Sequence, residues 1–294
     1  MACPIAGAIK GSYERMPRQM KVAARWLHDH PTEVALLSMR EQARQAGVSP
    51  ATLTRFAQRL GFDGFDGLKE IFADNVREGP ESFAERAEEL PVRREAEGDA
   101  AVIGDTIDAL HSHLKYLAQP SAIAALGAAV DVMAEARNIF CLGLRSSFPA
   151  AYLIHYACSL LGSPTIMIGG IGGTSNDALR LVSPGDVLLA VTVSPYTRYT
   201  VQASEFAVSR GAKLVAVTDS ELSPVAKLSD VVICVRTETP SFFHSMTPVF
   251  AAAECLIELI AARQGSRALV ALEASEAHLA AFDTYMLARS LRRK

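Results

Sequence analysis

The sequence predicts two domains of different class: an all-α unit first, then an α/β unit built on a doubly wound, five-stranded parallel sheet. Three observations predict this. At 294 residues the chain is long for one core and comfortable for two. Over its first quarter, apolar residues recur at helical spacing between proline and glycine stops. From Asn138 onward, short apolar runs alternate with helical stretches, the pattern of a parallel sheet covered on both faces.

Composition limits what such a chain can do. Half of its residues are apolar and its net charge is −3, so affinity for nucleic acid must come from a local basic patch. The five cysteines, Cys3, Cys141, Cys158, Cys234 and Cys255, are scattered and cannot all pair, and three of them lie inside apolar runs, which points to reduced, buried thiols. No C-x-x-C or Cys/His cluster has zinc-ligand spacing, so no metal site and no cofactor are expected. The first residues lack the apolar core of a signal peptide, and no segment reaches 18 uncharged apolar residues. The expectation is a cytoplasmic protein without a membrane partner.

In chain order, residues 1–15 read as frayed. Pro17–His30 reads as a helix with Met20, Ala23, Ala24 and Leu27 on one face, and Thr32–Leu37 as a short second helix. Ser38 and Glu41 then form an S-x-x-E capping box. Gly47 supplies the left-handed residue that ends that helix, and Val48 plugs the turn. Ser49-Pro50 is an N-cap followed by proline at the first helical position, where the missing N–H is harmless. Leu53, Phe56, Ala57 and Leu60 face inward, leaving Thr52, Arg55, Gln58 and Arg59 outward. The spacing from Ala43 to Arg55 is that of a helix-turn-helix, whose second helix enters a DNA groove. From Ser38 to Leu60, four arginines (Arg40, Arg44, Arg55, Arg59) stand against one acid, Glu41. Thr52 and Arg55 are expected at base edges, and Arg40, Arg44 and Arg59 at phosphates, with Ser49 and Gln58 on the same surface. A helix from about Phe65 to Arg77 closes this domain, assigned to residues 1–79.

Residues 80–100 read as an acidic linker or solvated helix broken at Pro91 and Gly98. The second domain, 101–294, opens with helical patterns at about 102–118 and 121–136. The strand-like runs are 138–144, 165–169, 186–193, 213–219 and 231–237. Helices are expected at Ser147–Leu161, near Asn176–Val182, at Tyr199–Ser209, at Ser245–Arg263 and at about 267–290. The last of these ends in the basic Arg289, Arg292, Arg293 and Lys294, read as a solvated helix end.

In such sheets a ligand lies beyond the carboxyl ends of the strands, where strand order reverses. Two strand ends carry clustered hydroxyls and an arginine: Arg145-Ser146-Ser147, and Thr192 with Ser194, Tyr196, Thr197 and Arg198. Each opens a helix whose N-terminal amides favour an anion. The loop from Gly169 to Asn176 is glycine-rich but lacks dinucleotide-binding spacing.

With both halves in place, the chain resembles the RpiR family of bacterial transcriptional regulators. The resemblance rests on VSPATLTRFAQRLGFDGFDGLK (48–69), the Gly143–Ser147 turn and the run from Ser183 to Val235. It implies a helix-turn-helix joined to a sugar isomerase (SIS) domain of flavodoxin-like fold. It further implies a palindromic operator, a homodimer or homotetramer, and an effector that is a sugar phosphate or related anionic sugar derivative. On the family's second phosphate loop, S-x-S-G-x-T, this chain places Thr192, Ser194, Pro195, Tyr196 and Thr197, with Pro195 where glycine is usual. Proline removes an N–H and fixes φ, and Tyr196 adds bulk. Arg145 and Arg198 are then available for bidentate contact to a carboxylate or phosphate. The competing reading is a SIS-type aldose–ketose isomerase, for which His155, His244 and Glu254 are the candidate bases. A regulator without catalytic residues is preferred, because an isomerase leaves the helix-turn-helix unexplained.

Overall fold

A computed structural model describes residues 13, 15–78, 83–169, 174 and 176–285. The chain forms two compact units: residues 1–109 with 220–222 and 238–244, and residues 110–219 with 223–237 and 245–294.

The first unit is helical. It comprises α1 (Arg18–Asp29), α2 (Pro31–Leu36), α3 (Met39–Ala46), α4 (Pro50–Arg59) and α5 (Phe65–Glu78). Their shared core includes Ala23, Ala24, Leu27, Val34, Ala43, Leu53, Phe56, Ala57, Phe65 and Leu68. The local signals behave as the sequence expects. The Ser38 hydroxyl accepts from the Glu41 amide at 3.3 Å, and the Ser49 hydroxyl accepts from the Thr52 amide at 3.2 Å. Gly47 has φ 65°, with Val48 N–H donating to the Ala43 carbonyl at 3.0 Å and Gly47 N–H to that of Arg44 at 3.3 Å. This crossed pair closes the helix around a left-handed residue, a conformation glycine adopts without strain.

Next comes α6 (Phe83–Leu117), which runs through Pro91 without a break but is kinked at Gly98, the second of the two breaks expected from the sequence. Only Gly98 leaves helical geometry (φ 82°, ψ 169°). Pro91 removes a donor to the Ala87 carbonyl, but Pro91 is exposed and Ala87 partly so, and a carbonyl that reaches solvent can be satisfied by water.

The second unit is α/β. After α7 (Pro120–Ala134) come β1 (Ile139–Gly143), α8 (Phe148–Leu160), β2 (Thr165–Ile168), β3 (Val187–Val191), α9 (Arg198–Ser209), β4 (Lys213–Thr218), β5 (Val231–Cys234), α10 (Thr247–Gln264) and α11 (Ser266–Ala281). The helix expected near Asn176–Val182 is one 3-10 turn, Ala178–Leu181, cut short by the Ser183-Pro184 turn. The last helix stops at Ala281, short of the expected 290. Asp283 adopts φ 48°, and Thr284 N–H donates to the Leu279 carbonyl at 3.1 Å, a left-handed helix end. The basic residues from Arg289 to Lys294 lie outside the described residues, as do 1–12, Gly79-Pro80 and most of the glycine-rich loop.

All five strands run parallel in the order β2-β1-β3-β4-β5. Period-two alternation sends Ile139, Cys141, Leu189, Val215 and Ile233 to one face, packed by α7, α8 and α10. Phe140, Leu142, Leu188, Ala190 and Leu214 point to the other face, packed by α9. The helices that follow neighbouring strands β1 and β3 thus lie on opposite faces.

Two features fix the ends of β1. At its start, the carboxylate of Asp186, just before β3, is buried and accepts from Arg137 Nη2 at 2.8 Å, Asn138 Nδ2 at 3.0 Å and the Ser183 amide at 2.9 Å. Burial raises its pKa, but these donors outweigh burial and hold it below the usual carboxylate range. At the far end, a Cβ on Gly143 would stand 2.5 Å from the Ser147 carbonyl and 2.8 Å from the Ala151 methyl group. Only glycine lets the turn into α8 approach the strand that closely.

Two outcomes follow for urea unfolding. Asp186→Ala should destabilise by about 1.5–3 kcal/mol at neutral pH, through loss of hydrogen bonds to a charged group. Because the folded pKa is depressed, this difference should be complete above about pH 5 and shrink as pH falls below about 4. Gly143→Ala should destabilise by about 1–3 kcal/mol, since the colliding atom is backbone and cannot rotate away.

Candidate functional sites

The helix-turn-helix surface is built on α3 and α4. Arg40, Arg44, Ser49, Arg55, Gln58 and Arg59 are exposed, as the sequence reading expects. Thr52 is not. It is 4% exposed, and its hydroxyl lies 2.9 Å from that of Ser49. The outward placement of Thr52 is therefore corrected. As the third residue of α4 its amide serves the Ser49 cap, and its side chain turns to the same serine.

The arginines differ in what already holds them. Arg44 Nε donates to Glu41 at 3.0 Å, and this bond together with that from Gln45 holds the Glu41 carboxyl at about 2. Glu41 is thus ionised at any physiological pH and neutralises the Arg44 side chain beside it. Arg59 Nη2 donates to the Arg15 carbonyl at 3.0 Å. Arg55 is steered along α4 by a 3.3 Å bond from Nε to the Ala51 carbonyl.

The second site lies at the carboxyl edge of the sheet. Strand order reverses between β1 and β3, and their register pairs Gly143 with Val191. The segments Leu144–Ser147 and Thr192–Arg198 therefore leave the sheet at the same level and diverge to opposite faces. In sheets of this order, such a divergence is where a ligand crevice lies.

On the first segment, Arg145 adopts φ 52°, an uncommon conformation for a residue with a side chain, and Ser147 N–H donates to Leu144 at 3.0 Å. Arg145 is exposed, Ser146 half-buried and Ser147 buried. On the second, Thr192 is 3% exposed and its amide donates to the Val217 carbonyl at 3.0 Å, which carries the β3–β4 ladder past the end of the strand. Ser194 and Arg198 are exposed, and the Ser194–Pro195 peptide is cis. Thr197 is the N-cap of α9, yet its hydroxyl makes no capping bond. All eight effector residues named from the sequence thus sit on two segments that leave adjacent strands.

Tyr196 departs from expectation in one respect. Its hydroxyl donates to Asp219 Oδ1 at 2.9 Å, beyond the end of β4. The side chain is tied toward β4, and its bulk is accounted for there. Asp219 escaped the sequence reading because the bond spans 23 residues; the only local trace is an acid ending an apolar strand run.

The candidate bases lie outside the two segments in the chain. His155 is seven residues into α8, about 10 Å down the helix from its start at 1.5 Å per residue. Burial lowers its pKa. Glu254 is exposed on α10, and His244 belongs to the segment 238–244 grouped with the first unit.

Comparison with known proteins agrees with both halves. Residues 5–78 match the helix-turn-helix domain of the rpiR family, and residues 132–259 match the SIS domain. The HTH-type transcriptional regulator RpiR of Escherichia coli K12 is 26% identical over 221 residues, covering 69% of this chain and 67% of the relative. The sugar isomerase domain of an RpiR transcription factor from Sphaerobacter thermophilus superposes with a TM-score of 0.52 at 28% identity, covering 64% of this chain and 98% of that one. Vibrio vulnificus NanR, solved in complex with ManNAc-6P, gives a TM-score of 0.54 over 96% of this chain and 100% of its own; at 18% identity it supports the fold alone. Helix-turn-helix and SIS domain, in that order on one chain, make this protein a member of the RpiR family of transcriptional regulators.

Proposed function

We propose that this regulator binds a palindromic operator as a homodimer or homotetramer and changes its affinity when an anionic sugar derivative, foremost a sugar phosphate, occupies the crevice between β1 and β3. One observation carries the reading. Two hydroxyl-bearing segments, each with an arginine and each opening a helix, leave adjacent strands at the point where strand order reverses. Helix N-termini and guanidinium groups favour anions, and the hydroxyls of Ser146, Ser147, Thr192, Ser194 and Thr197 can donate to anion oxygens or sugar hydroxyls. NanR, which shares the fold, is a protein solved with a sugar phosphate.

On the DNA side, Arg55 and Gln58 take the base edges, being exposed on successive turns of α4. Arg40 and Arg59, together with Ser49 at the helix start, lie toward phosphates, and Arg44 shares its charge between Glu41 and the backbone of DNA. We infer no isomerase activity. Aldose–ketose transfer needs a base at the substrate carbon, and none of His155, His244 and Glu254 sits on the two crevice segments. A cytoplasmic location fits this role, and no single described helix is long and apolar enough to cross a membrane.

Two measurements test the reading. In a thermal-shift screen of the full chain, the panel comprises hexose and hexosamine 6-phosphates, hexonic acids and unmodified hexoses. A true effector at 100 times its Kd should stabilise by about 2.7 kcal/mol. A null result across the phosphates and acids, or turnover of any ketose phosphate, would overturn it. Arg55→Ala should weaken operator binding by about 1–3 kcal/mol while leaving random-sequence DNA affinity nearly unchanged. Equal loss on both would make Arg55 a phosphate contact instead.

A further inference from the structure

The segment from Thr192 to Thr197 holds no glycine, and Pro195 brings no N–H. A segment of that make-up has little freedom to wrap its backbone around an anion, so its hydroxyls must be aimed by other means. The structure contains one. The Tyr196 phenol donates to Asp219 Oδ1 at 2.9 Å, and Asp219 is 7% exposed. The Thr218 hydroxyl lies 3.5 Å from the same oxygen. Asp219 directly follows β4, which is paired with β3 on one side and β5 on the other, so the acceptor stands on a part of the sheet held from both sides.

The direction of the bond matters. β4 lies across β3 from β1. Drawing Tyr196 toward β4 draws its ring away from the Arg145–Ser147 turn. Ser194 and Thr197, on either side of it in the chain, are left at the β3 end of the crevice.

We propose that Tyr196 and Asp219 form a positioning pair: a tyrosine–carboxylate tether that holds the β3–α9 segment in its ligand-binding shape, with Tyr196 acting through the segment rather than touching the effector. This deepens the reading of the crevice given above and rests on it. The tether has a chemical corollary. Asp219 places a carboxylate near a site proposed for anions, and donation from the phenol stabilises and orients that charge. Removing the donor therefore loosens the segment and leaves the carboxylate less well satisfied. Replacing the carboxylate with an amide keeps an oxygen to accept the bond and removes the charge.

The test uses the full chain as wild type, Tyr196→Phe, Asp219→Ala, Asp219→Asn and the double variant Tyr196→Phe/Asp219→Ala. The binding probe is the panel member that most stabilises the wild type, titrated calorimetrically. Tyr196→Phe and Asp219→Ala should each weaken binding about tenfold, as expected for loss of a hydrogen bond to a charged group. The double variant should be within about twofold of either single variant, because both remove one interaction. Asp219→Asn should rescue, binding at least as well as within about threefold of wild type. Without ligand, amide hydrogen exchange over residues 192–199 should quicken in Tyr196→Phe and Asp219→Ala but not in Asp219→Asn. Wild-type affinity or unchanged loop exchange in Tyr196→Phe would overturn the tether, as would additive losses in the double variant. If no panel member binds wild type, the crevice reading itself fails, whatever the exchange rates show.

Discussion

The reversal of strand order between β1 and β3 is the constraint on which the second unit depends. Parallel strands need crossover helices, and a sheet of order 2-1-3-4-5 must send the helix after β1 to one face and the helix after β3 to the other. The peptide segments that begin those crossovers separate as they rise from adjacent strands. The crevice is a consequence of topology before it is a consequence of any side chain. Side chains then keep it in register. Asp186, held by Arg137 and Asn138, joins the starts of β1 and β3, while Gly143 lets the turn into α8 lie against the strand. Thr192 extends the β3–β4 ladder, so the second segment departs from a paired residue rather than a frayed one.

The first unit solves a different problem with local means. Two short helices must meet at a fixed angle, and three caps fix it: Ser38 at the start of α3, the left-handed Gly47 at its end and Ser49 at the start of α4. Each satisfies backbone groups that a helix end otherwise exposes. The exposed face of α4 is then a rigid platform, and the side chains on it differ by how firmly they are engaged. Arg44 and Arg59 have partners within the protein, whereas Gln58 and the outer part of Arg55 project from the helix.

What could be read from the sequence follows from the range of the interactions involved. The inner strands are buried on both faces and the half-buried edge strands β2 and β5 are apolar runs as well, so all five were legible from Ile139 to Cys234. The turn at Gly47 and the caps at Ser38 and Ser49 act over three to five residues and were legible for the same reason. Pro91 misled because its effect depends on whether the vacant carbonyl meets water, which a sequence does not state. Thr52 misled because it stands at the edge of the inward face, four residues before buried Phe56, where helical spacing does not decide its side and the hydroxyl of Ser49 pairs with it. The two crevice segments were legible as hydroxyl clusters at strand ends. Their mutual placement came from topology, and the role of Asp219 came from a contact that no local pattern encodes.

The central claim is that the crevice and the α4 surface are thermodynamically linked within one regulator. Linkage requires reciprocity: whatever factor the effector applies to operator affinity, the operator must apply to effector affinity. The direct measurement is fluorescence anisotropy of a labelled operator titrated with the full chain, with and without saturating effector, paired with effector titration of the operator-bound and free protein. The account predicts a change of about 5- to 150-fold in operator affinity, matched by the same factor in effector affinity. Effector binding in the crevice with operator affinity unchanged would contradict it.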